Sequence, residues 1–178
     1  MGLHNACMVL SNNPQTERFK PSVTVAAIIE RDGKFLLLEE HTAEGLRLNN
    51  PAGHLDPGES PQAGCVREAL EETARVFTPT ALVGIYLSRF VRPARAERSA
   101  EDVTYVRFAF CGTVADEIPG RSYDHGIVRT LWMTPDEIRS SVARHRSPLV
   151  LTCMEDYLAG KRIALEAVVT DASVGAVL

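Results

Sequence analysis

Several classes of protein are excluded by what this sequence lacks. No stretch approaches 18 consecutive apolar residues, so we predict no membrane-spanning segment. Four cysteines occur without a CxxC pair, which predicts reduced thiols and a cytoplasmic location. Positive charge is not in excess, since 19 Lys and Arg residues stand against 23 Asp and Glu residues and give a net charge of -4. Such a chain has no basic field for long nucleic acid, which is therefore not expected as a partner.

The length and composition favour a single domain. The 178 residues, 45% of them hydrophobic, suffice for one sizeable core. Neither an internal repeat nor an interdomain linker is visible. We divide the chain into a flexible, polar N-terminal arm at 1–18, a domain at 19–168 and a C-terminal tail at 169–178, and the tail could be strand, packed coil or disordered.

The order of local patterns predicts an α/β fold in which a mixed β-sheet is sandwiched between α-helices. Ser60 and Pro61 are typical of a helix start, Thr134 begins a capping box, and Ser147 with Pro148 opens a third helix. The predicted helices are 61–74, one beginning near 135, and one ending near 160. The predicted strands are 23–30, 35–39, 81–87, 104–114 and 127–133, with a loop at 40–50.

A second polar loop is predicted between the strands at 81–87 and 104–114. By default it is a flexible, solvated loop, and the alternative is a lid over a ligand. Its acidic residues could supply a general base. The charged residues and proline concerned are Arg92, Pro93, Arg95, Arg98, Glu101 and Asp102.

A cluster of charged positions follows Gly53. Six residue types are fixed over twenty positions, a combination expected by chance at about 10⁻⁵ in a chain of this length. At 100° per residue, the three later glutamates lie within one arc of the helix. An apolar face is predicted opposite them and separate from them, and Gly64 leaves room on the acidic side. That apolar face consists of Val66, Ala69, Leu70 and Thr73. The six positions are Gly53, Glu59, Arg67, Glu68, Glu71 and Glu72.

Three carboxylates on one arc repel one another and need a cation. Because oxygen ligands dominate and no His or Cys pair is near, we predict Mg²⁺, with Mn²⁺ possible, rather than Zn²⁺. Such ions bridge carboxylates to phosphate oxygens, which a mildly acidic protein would otherwise repel. We expect Arg67 to pair with a neighbouring carboxylate, Glu59 being the first candidate.

These residues resemble the Nudix box, in which Gly, five residues, Glu and seven residues precede Arg-Glu-aliphatic-any-Glu-Glu-any-Gly-aliphatic. Ala74 and Arg75 depart from its last two fixed positions. The resemblance implies a Nudix fold and a Nudix hydrolase of the phosphoanhydride type. It implies a catalytic set of Glu59, Arg67, Glu68, Glu71 and Glu72, with Glu68, Glu71, Glu72 and the carbonyl of Ala52 as metal ligands.

Further stretches between about 18 and 168 resemble the NudJ-type phosphatases of this family, among them Gly33-Lys-Phe-Leu, Pro51-Ala-Gly-His-Leu and Arg146-Ser-Pro-Leu-Val. The resemblance implies hydrolysis of nucleoside tri- and diphosphates or of thiamine-type pyrophosphates, with release of phosphate. We predict a small-molecule pyrophosphate substrate, with Gly53 and Arg107 as substrate-binding residues. Arg107 could instead cap the solvent face of a strand, and His54 is less favoured as a ligand contact.

Other functions are compatible with the same fold. One is a noncatalytic domain that senses a nucleotide, which the intact acidic residues disfavour. Another is a house-cleaning nucleotide pyrophosphatase that releases pyrophosphate. A third removes pyrophosphate from RNA 5′ ends and is disfavoured because no basic stretch is present. The sequence does not give the oligomeric state.

Overall fold

The structure is a computed structural model that describes residues 18–94 and 99–175. Apart from Arg18, the predicted N-terminal arm lies outside the described residues, as does Cys7. The strands are β1 (Ser22–Arg31), β2 (Lys34–Thr42), β3 (Gly45–Asn49), β4 (Ala52–His54), β5 (Phe77–Arg92), β6 (Glu101–Val114) and β7 (Ile127–Met133). The helices are α1 (Pro61–Thr73), α2 (Pro135–Ser140) and α3 (Leu149–Leu158), with short 3-10 turns at Val142–Arg144, Leu165–Ala167 and Ala172–Gly175.

The strands form one mixed sheet in the order β3-β2-β1-β6-β5, with β4 paired to β1 and β7 paired to β2. Only the β1–β6 pairing is parallel among the described strands. On β1, Val25, Ala27 and Ile29 pack on the side of α1, whereas Ala26 and Ile28 pack on the side of α2 and α3. This alternation buries both faces of the sheet, and the predicted sandwich is confirmed.

Helix α1 begins and ends as the sequence predicts. The Ser60 side chain accepts a hydrogen bond from the Ala63 amide at 3.1 Å, and Pro61 fills the first helical position. Ala74 closes the helix in the left-handed region, with φ of 53°. For a residue other than glycine this conformation costs about 1–2 kcal/mol. Burial of the Ala74 methyl group offsets about 0.8 kcal/mol of that cost, so alanine can replace the glycine of the pattern.

Arg75, the second departure from the Nudix box, fastens a loop to the end of α1. Its buried guanidinium donates from Nη2 to Oε2 of Glu117 at 2.9 Å, and Tyr123 donates its hydroxyl to Oε1 of the same carboxylate at 2.7 Å. The Asp124 amide, next in the chain, donates to the Glu71 carbonyl at 2.9 Å. The loop between β6 and β7 is therefore held against the acidic end of α1.

The predicted loop at 40–50 is wrong. β2 continues to Thr42 and pairs with β3, which places Glu40 opposite Arg47. Gly45, with φ of 98°, permits the tight turn between the two strands, and Leu48 is fully buried. The polar residues of this segment suggested a loop, but charged residues of opposite sign face one another across the two strands and stabilise a hairpin.

The second predicted loop is shorter than expected, because β5 and β6 pair as far as Arg92 and Glu101. Arg92 reaches Glu101 at 2.6 Å and Arg89 reaches Asp102 at 2.7 Å, whereas Arg95 and Arg98 lie outside the described residues. The ion pair with Arg89 lowers the pKa of Asp102. A carboxylate held in this way accepts a proton poorly, which argues against Asp102 as a general base.

The remaining local predictions concern the cysteines, the third helix and the tail. Cys65, Cys111 and Cys153 are buried and free of disulfides among the described residues, and α3 follows Pro148 as expected. The described part of the tail ends in the 3-10 turn at Ala172–Gly175. Within 18–94 and 99–175, no helix is long and apolar enough to cross a membrane.

Candidate active site

Arg67 is the centre of an ion-pair network on α1. It donates to both oxygens of Glu59, from Nη2 at 2.7 Å and from Nε at 3.1 Å, as the sequence predicted. Its Nη1 also donates to Glu68 at 2.8 Å and to Glu71 at 3.1 Å, contacts that were not predicted. One guanidinium thus gathers three of the five predicted catalytic residues around itself.

Glu59 is a fixed anion within this network. It accepts the Asp56 amide at 2.8 Å, and its hydrogen bonds to Arg67 lower its pKa. A Cβ atom on Gly64 would lie 2.6 Å from Oε1 of Glu59, so the room left by this glycine is taken by the Glu59 side chain. These contacts suit Glu59 to holding Arg67 rather than to exchanging protons.

Gly53 lies on β4 directly against Glu68. A Cβ atom at position 53 would be 2.2 Å from Cδ of Glu68 and 2.2 Å from each of its carboxylate oxygens. The absence of a side chain at this position therefore allows the Glu68 carboxylate to lie over the backbone of β4. The structure does not test whether Gly53 also contacts a substrate.

We expect Gly53→Ala to lower kcat by about tenfold or more, because the new methyl group displaces the Glu68 carboxylate. The atoms that must move are the end of a flexible side chain, so the melting temperature should change little. Steady-state kinetics and a thermal melt measure both quantities. Gly175→Ala is the matched control, since its added Cβ meets no described atom within 4 Å. A normal kcat in Gly53→Ala would contradict the role of Gly53 in placing the catalytic carboxylate of Glu68.

The prediction that the acidic and buried faces of α1 are separate is wrong, because Glu72 belongs to both. Only 9% of the residue is exposed, and its Oε2 accepts the Ala52 amide at 2.7 Å. Burial raises the pKa of Glu72 to about 8, and the nearby charges of Glu68, Glu40 and Asp124 act in the same direction. The anionic form of this carboxylate is therefore unfavourable without a nearby cation.

The site carries the right donors for a hard divalent cation. Partial burial also raises the pKa of Glu68, so both this carboxylate and that of Glu72 favour a nearby positive charge. In this structure Arg67 holds Glu68 and Glu71, and the described residues include no preformed group of three or more metal ligands. The donors are all carboxylate oxygen atoms, the type that hard divalent cations prefer.

Two carboxylates near Glu72 were missed by the sequence analysis. Glu40 comes from β2 and Asp124 from the loop before β7, and both are close enough to raise the pKa of Glu72. Oε1 of Glu40 is buried and has no hydrogen-bond partner among the described residues. No spacing along the chain relates these residues to α1, because the sheet and the loop bring them there.

The Nε and Nη1 atoms of Arg107 are buried, which argues against the alternative that this side chain caps a solvent-exposed strand face. Burial lowers its pKa, and the charges acting on it include Arg146, Glu72 and Glu40. Its Nε and Nη1 atoms find no hydrogen-bond partner within the described chain. His54 is exposed and contributes its carbonyl oxygen to Arg67 at 3.0 Å, which gives its ring no place in this network.

Comparison with known proteins agrees with this geometry. The sequence model of the NUDIX domain matches residues 18–152. The chain belongs to the Nudix hydrolase family. It is 33% identical over 149 residues to Phosphatase NudJ of Escherichia coli strain K12, a match that covers 83% of this chain and 90% of the relative. NudJ of Shigella flexneri gives the same values.

Solved structures show the same fold. A Nudix hydrolase from Nitrosomonas europaea superimposes with a TM-score of 0.76 at 48% identity, covering 85% of this chain and 98% of that one. A MutT protein from Methanosarcina mazei gives a TM-score of 0.59 at 20% identity, covering 80% and 98%, and is evidence for the fold alone. The predicted Nudix fold, the similarity to NudJ and the assignment as a hydrolase are confirmed.

Proposed function

We propose that this Nudix hydrolase uses a divalent cation to cleave phosphoanhydride bonds in nucleoside tri- and diphosphates or thiamine-type pyrophosphates, and that it releases orthophosphate. The observation that carries the proposal is the packing of Glu68 and Glu72 against β4. Gly53 leaves space for the Glu68 carboxylate, and the Ala52 amide donates a hydrogen bond to Glu72. The similarity to proteins named Phosphatase NudJ supports the choice of product.

The ligands proposed for the cation are the carboxylates of Glu68, Glu71 and Glu72 and the carbonyl oxygen of Ala52. Mg²⁺ is the first choice and Mn²⁺ is possible, since all these donors are oxygen atoms. When bound, the ion would supply Lewis-acid activation of a water molecule and of the phosphate oxygens.

The protein's own residues orient the reacting groups and take up a proton. Glu59 holds Arg67 by two hydrogen bonds, and Arg67 in turn positions Glu68 and Glu71. A carboxylate of this group accepts the proton of the attacking water. Glu71 is a candidate for this proton acceptor because 41% of its side chain is exposed to solvent.

Substrate binding is proposed for Gly53 and Arg107. At Gly53 the Glu68 carboxylate fills the space that a side chain would take, so the proposed contact is between a phosphate and the Gly53 backbone beside that carboxylate. Arg107 offers two buried donors without partners among the described residues, and the charge of Glu72 acts on it. Together they would bind a pyrophosphate group from β4 and β6, the two strands that pair with β1, near the carboxylates of α1.

Product analysis tests the proposal. A screen of nucleoside di- and triphosphates and of thiamine pyrophosphate, followed by ³¹P NMR, should show orthophosphate as the initial product. Nucleotides should react with kcat/KM values within about two orders of magnitude of one another, because recognition centres on the phosphates. Glu72→Gln prepared in parallel excludes contaminating phosphatases.

Two results would contradict the proposal in different ways. Pyrophosphate as the sole initial product from triphosphates, with diphosphates inert, would identify a house-cleaning pyrophosphatase instead. Tight nucleotide binding without turnover of any pyrophosphate would favour the sensing function.

A further inference from the structure

Arg107 lies on the face of the sheet opposite α1, where a second part of the site could be formed. In β6, Ala109 and Cys111 alternate with Arg107 and pack in the core on the side of α3. Strand periodicity therefore directs the Arg107 side chain toward α3. Its Nε and Nη1 atoms are buried and lack hydrogen-bond partners among the residues described.

The groups around Arg107 leave its charge without a bonded anion. Burial and the neighbouring Arg146 both lower its pKa, while Cys153, Glu72 and Glu40 act in the opposite direction. Glu40, however, is bonded through Oε2 to Arg146 at 2.6 Å. A buried guanidinium with two unused donor atoms costs free energy unless an anion reaches it.

The second cation lies immediately before α3. Arg146 is half-exposed, with 51% of its side chain accessible, and its amide donates to the Leu48 carbonyl at 2.8 Å. The next residue, Ser147, has a buried hydroxyl without a hydrogen-bond partner in the described chain. The N-terminus of α3 has no side-chain cap, and free amides at such a position favour a negative charge.

We propose that Arg107 and Arg146 bind the terminal phosphate group of the substrate beside Glu72, while the organic half extends toward solvent. Guanidinium groups match phosphate oxygens in geometry as well as charge. This inference rests on the proposed function and adds to it the orientation of the substrate.

The orientation explains the expected product. Nε and Nη1 of Arg107 are shielded from solvent, so we assign the small phosphate end of the substrate, rather than the bulkier nucleoside, to this position. With the terminal phosphate held there, water attacks the terminal phosphorus, the bond to the bridging oxygen breaks, and orthophosphate leaves. The bridging oxygen and its electron pair stay with the organic phosphate. Contacts with the organic half then contribute little to selectivity.

Binding of inorganic phosphate to the metal-free protein, measured by calorimetry, tests the proposed phosphate site without depending on turnover. We expect Arg107→Gln and Arg146→Gln to weaken phosphate binding by about tenfold or more, because each removes a charged hydrogen-bond donor. Lys34→Gln removes the same charge from an exposed residue at the β1–β2 hairpin and should change the affinity less than about twofold. Arg107→Lys keeps the charge and should lie between.

Kinetics then separates this inference from the proposed function. Arg107→Gln should raise the KM for nucleoside diphosphates and increase the share of pyrophosphate formed from triphosphates, because the terminal phosphate is no longer retained. Unchanged phosphate affinity in folded Arg107→Gln and Arg146→Gln would overturn the inference even if the wild type hydrolyses pyrophosphates. Arginine-dependent phosphate binding in a protein without hydrolytic activity would instead reject the proposed function and support the phosphate site. If Arg107→Gln does not fold, Arg107→Lys and Arg146→Gln decide the question.

Discussion

Glu68→Gln and Glu72→Gln are each expected to lower kcat by about 10² or more under saturating Mg²⁺. Glutamine preserves the shape of each side chain but removes the charge that a divalent cation requires. In Glu72→Gln the new amide oxygen could still accept the Ala52 amide, which Glu72 accepts at 2.7 Å. The loss should therefore reflect chemistry rather than a displaced backbone, and steady-state kinetics with a diphosphate measures it.

Stability should move differently from activity in these variants. Burial raises the pKa of Glu72 to about 8, so its charged form is disfavoured in the folded, metal-free protein. A neutral glutamine removes this penalty, and the melting temperature in chelator should stay the same or rise slightly. Glu166→Gln is the matched control, because Glu166 is exposed and makes no ion pair among the described residues. Wild-type rates in both variants would shift the interpretation to nucleotide sensing.

The sequence predicted the acidic helix well because one helix relates its residues by a fixed angle. Glu68, Glu71 and Glu72 share an arc whatever surrounds them, and Ser60 caps the helix through its own side chain. Arg67 and Glu59 could be paired in advance, since loop and helix are adjacent in the chain. These predictions needed no knowledge of long-range packing.

What the sequence concealed depends on contacts between distant elements. Asp124 comes near Glu72 only because Arg75, Glu117 and Tyr123 fasten its loop to α1. Arg146 approaches Arg107 because α3 covers the sheet. No local pattern encodes either approach, although the unusual arginine after Ala74 was a visible sign that this helix end has a polar partner.

Burial was misjudged for a related physical reason. Glu72 belongs to the acidic arc of α1 but also faces β4, whose short strand leaves its Ala52 amide free to bind a carboxylate. The β5–β6 hairpin was underestimated because its charged residues suggest a loop. Arg89 and Arg92 in fact pair with acids on the opposite strand, so these charges stabilise the ladder rather than end it.

Removal of divalent cations is expected to abolish turnover, to below about 1% of the Mg²⁺-supported rate. Without a cation, Glu68, Glu71 and Glu72 present negative charge to an anionic substrate, and Arg67 is committed to carboxylates. Activity in excess EDTA, followed by restoration with Mg²⁺ or Mn²⁺, measures the effect. Full activity in EDTA that Mg²⁺ does not raise would refute the cation requirement.

The same requirement should be visible without any substrate. A cation near Glu68 and Glu72 offsets the desolvation cost that burial imposes on these charged carboxylates, so Mg²⁺ should raise the melting temperature of the metal-free wild type. The rise should be larger at pH 8 than at pH 6, because Mg²⁺ competes with the proton for a carboxylate whose pKa lies at about 8. Glu72→Gln should lose most of this shift at both pH values, whereas Glu166→Gln should keep it. An equal rise in wild type and Glu72→Gln would place the cation away from α1 even if activity depends on it.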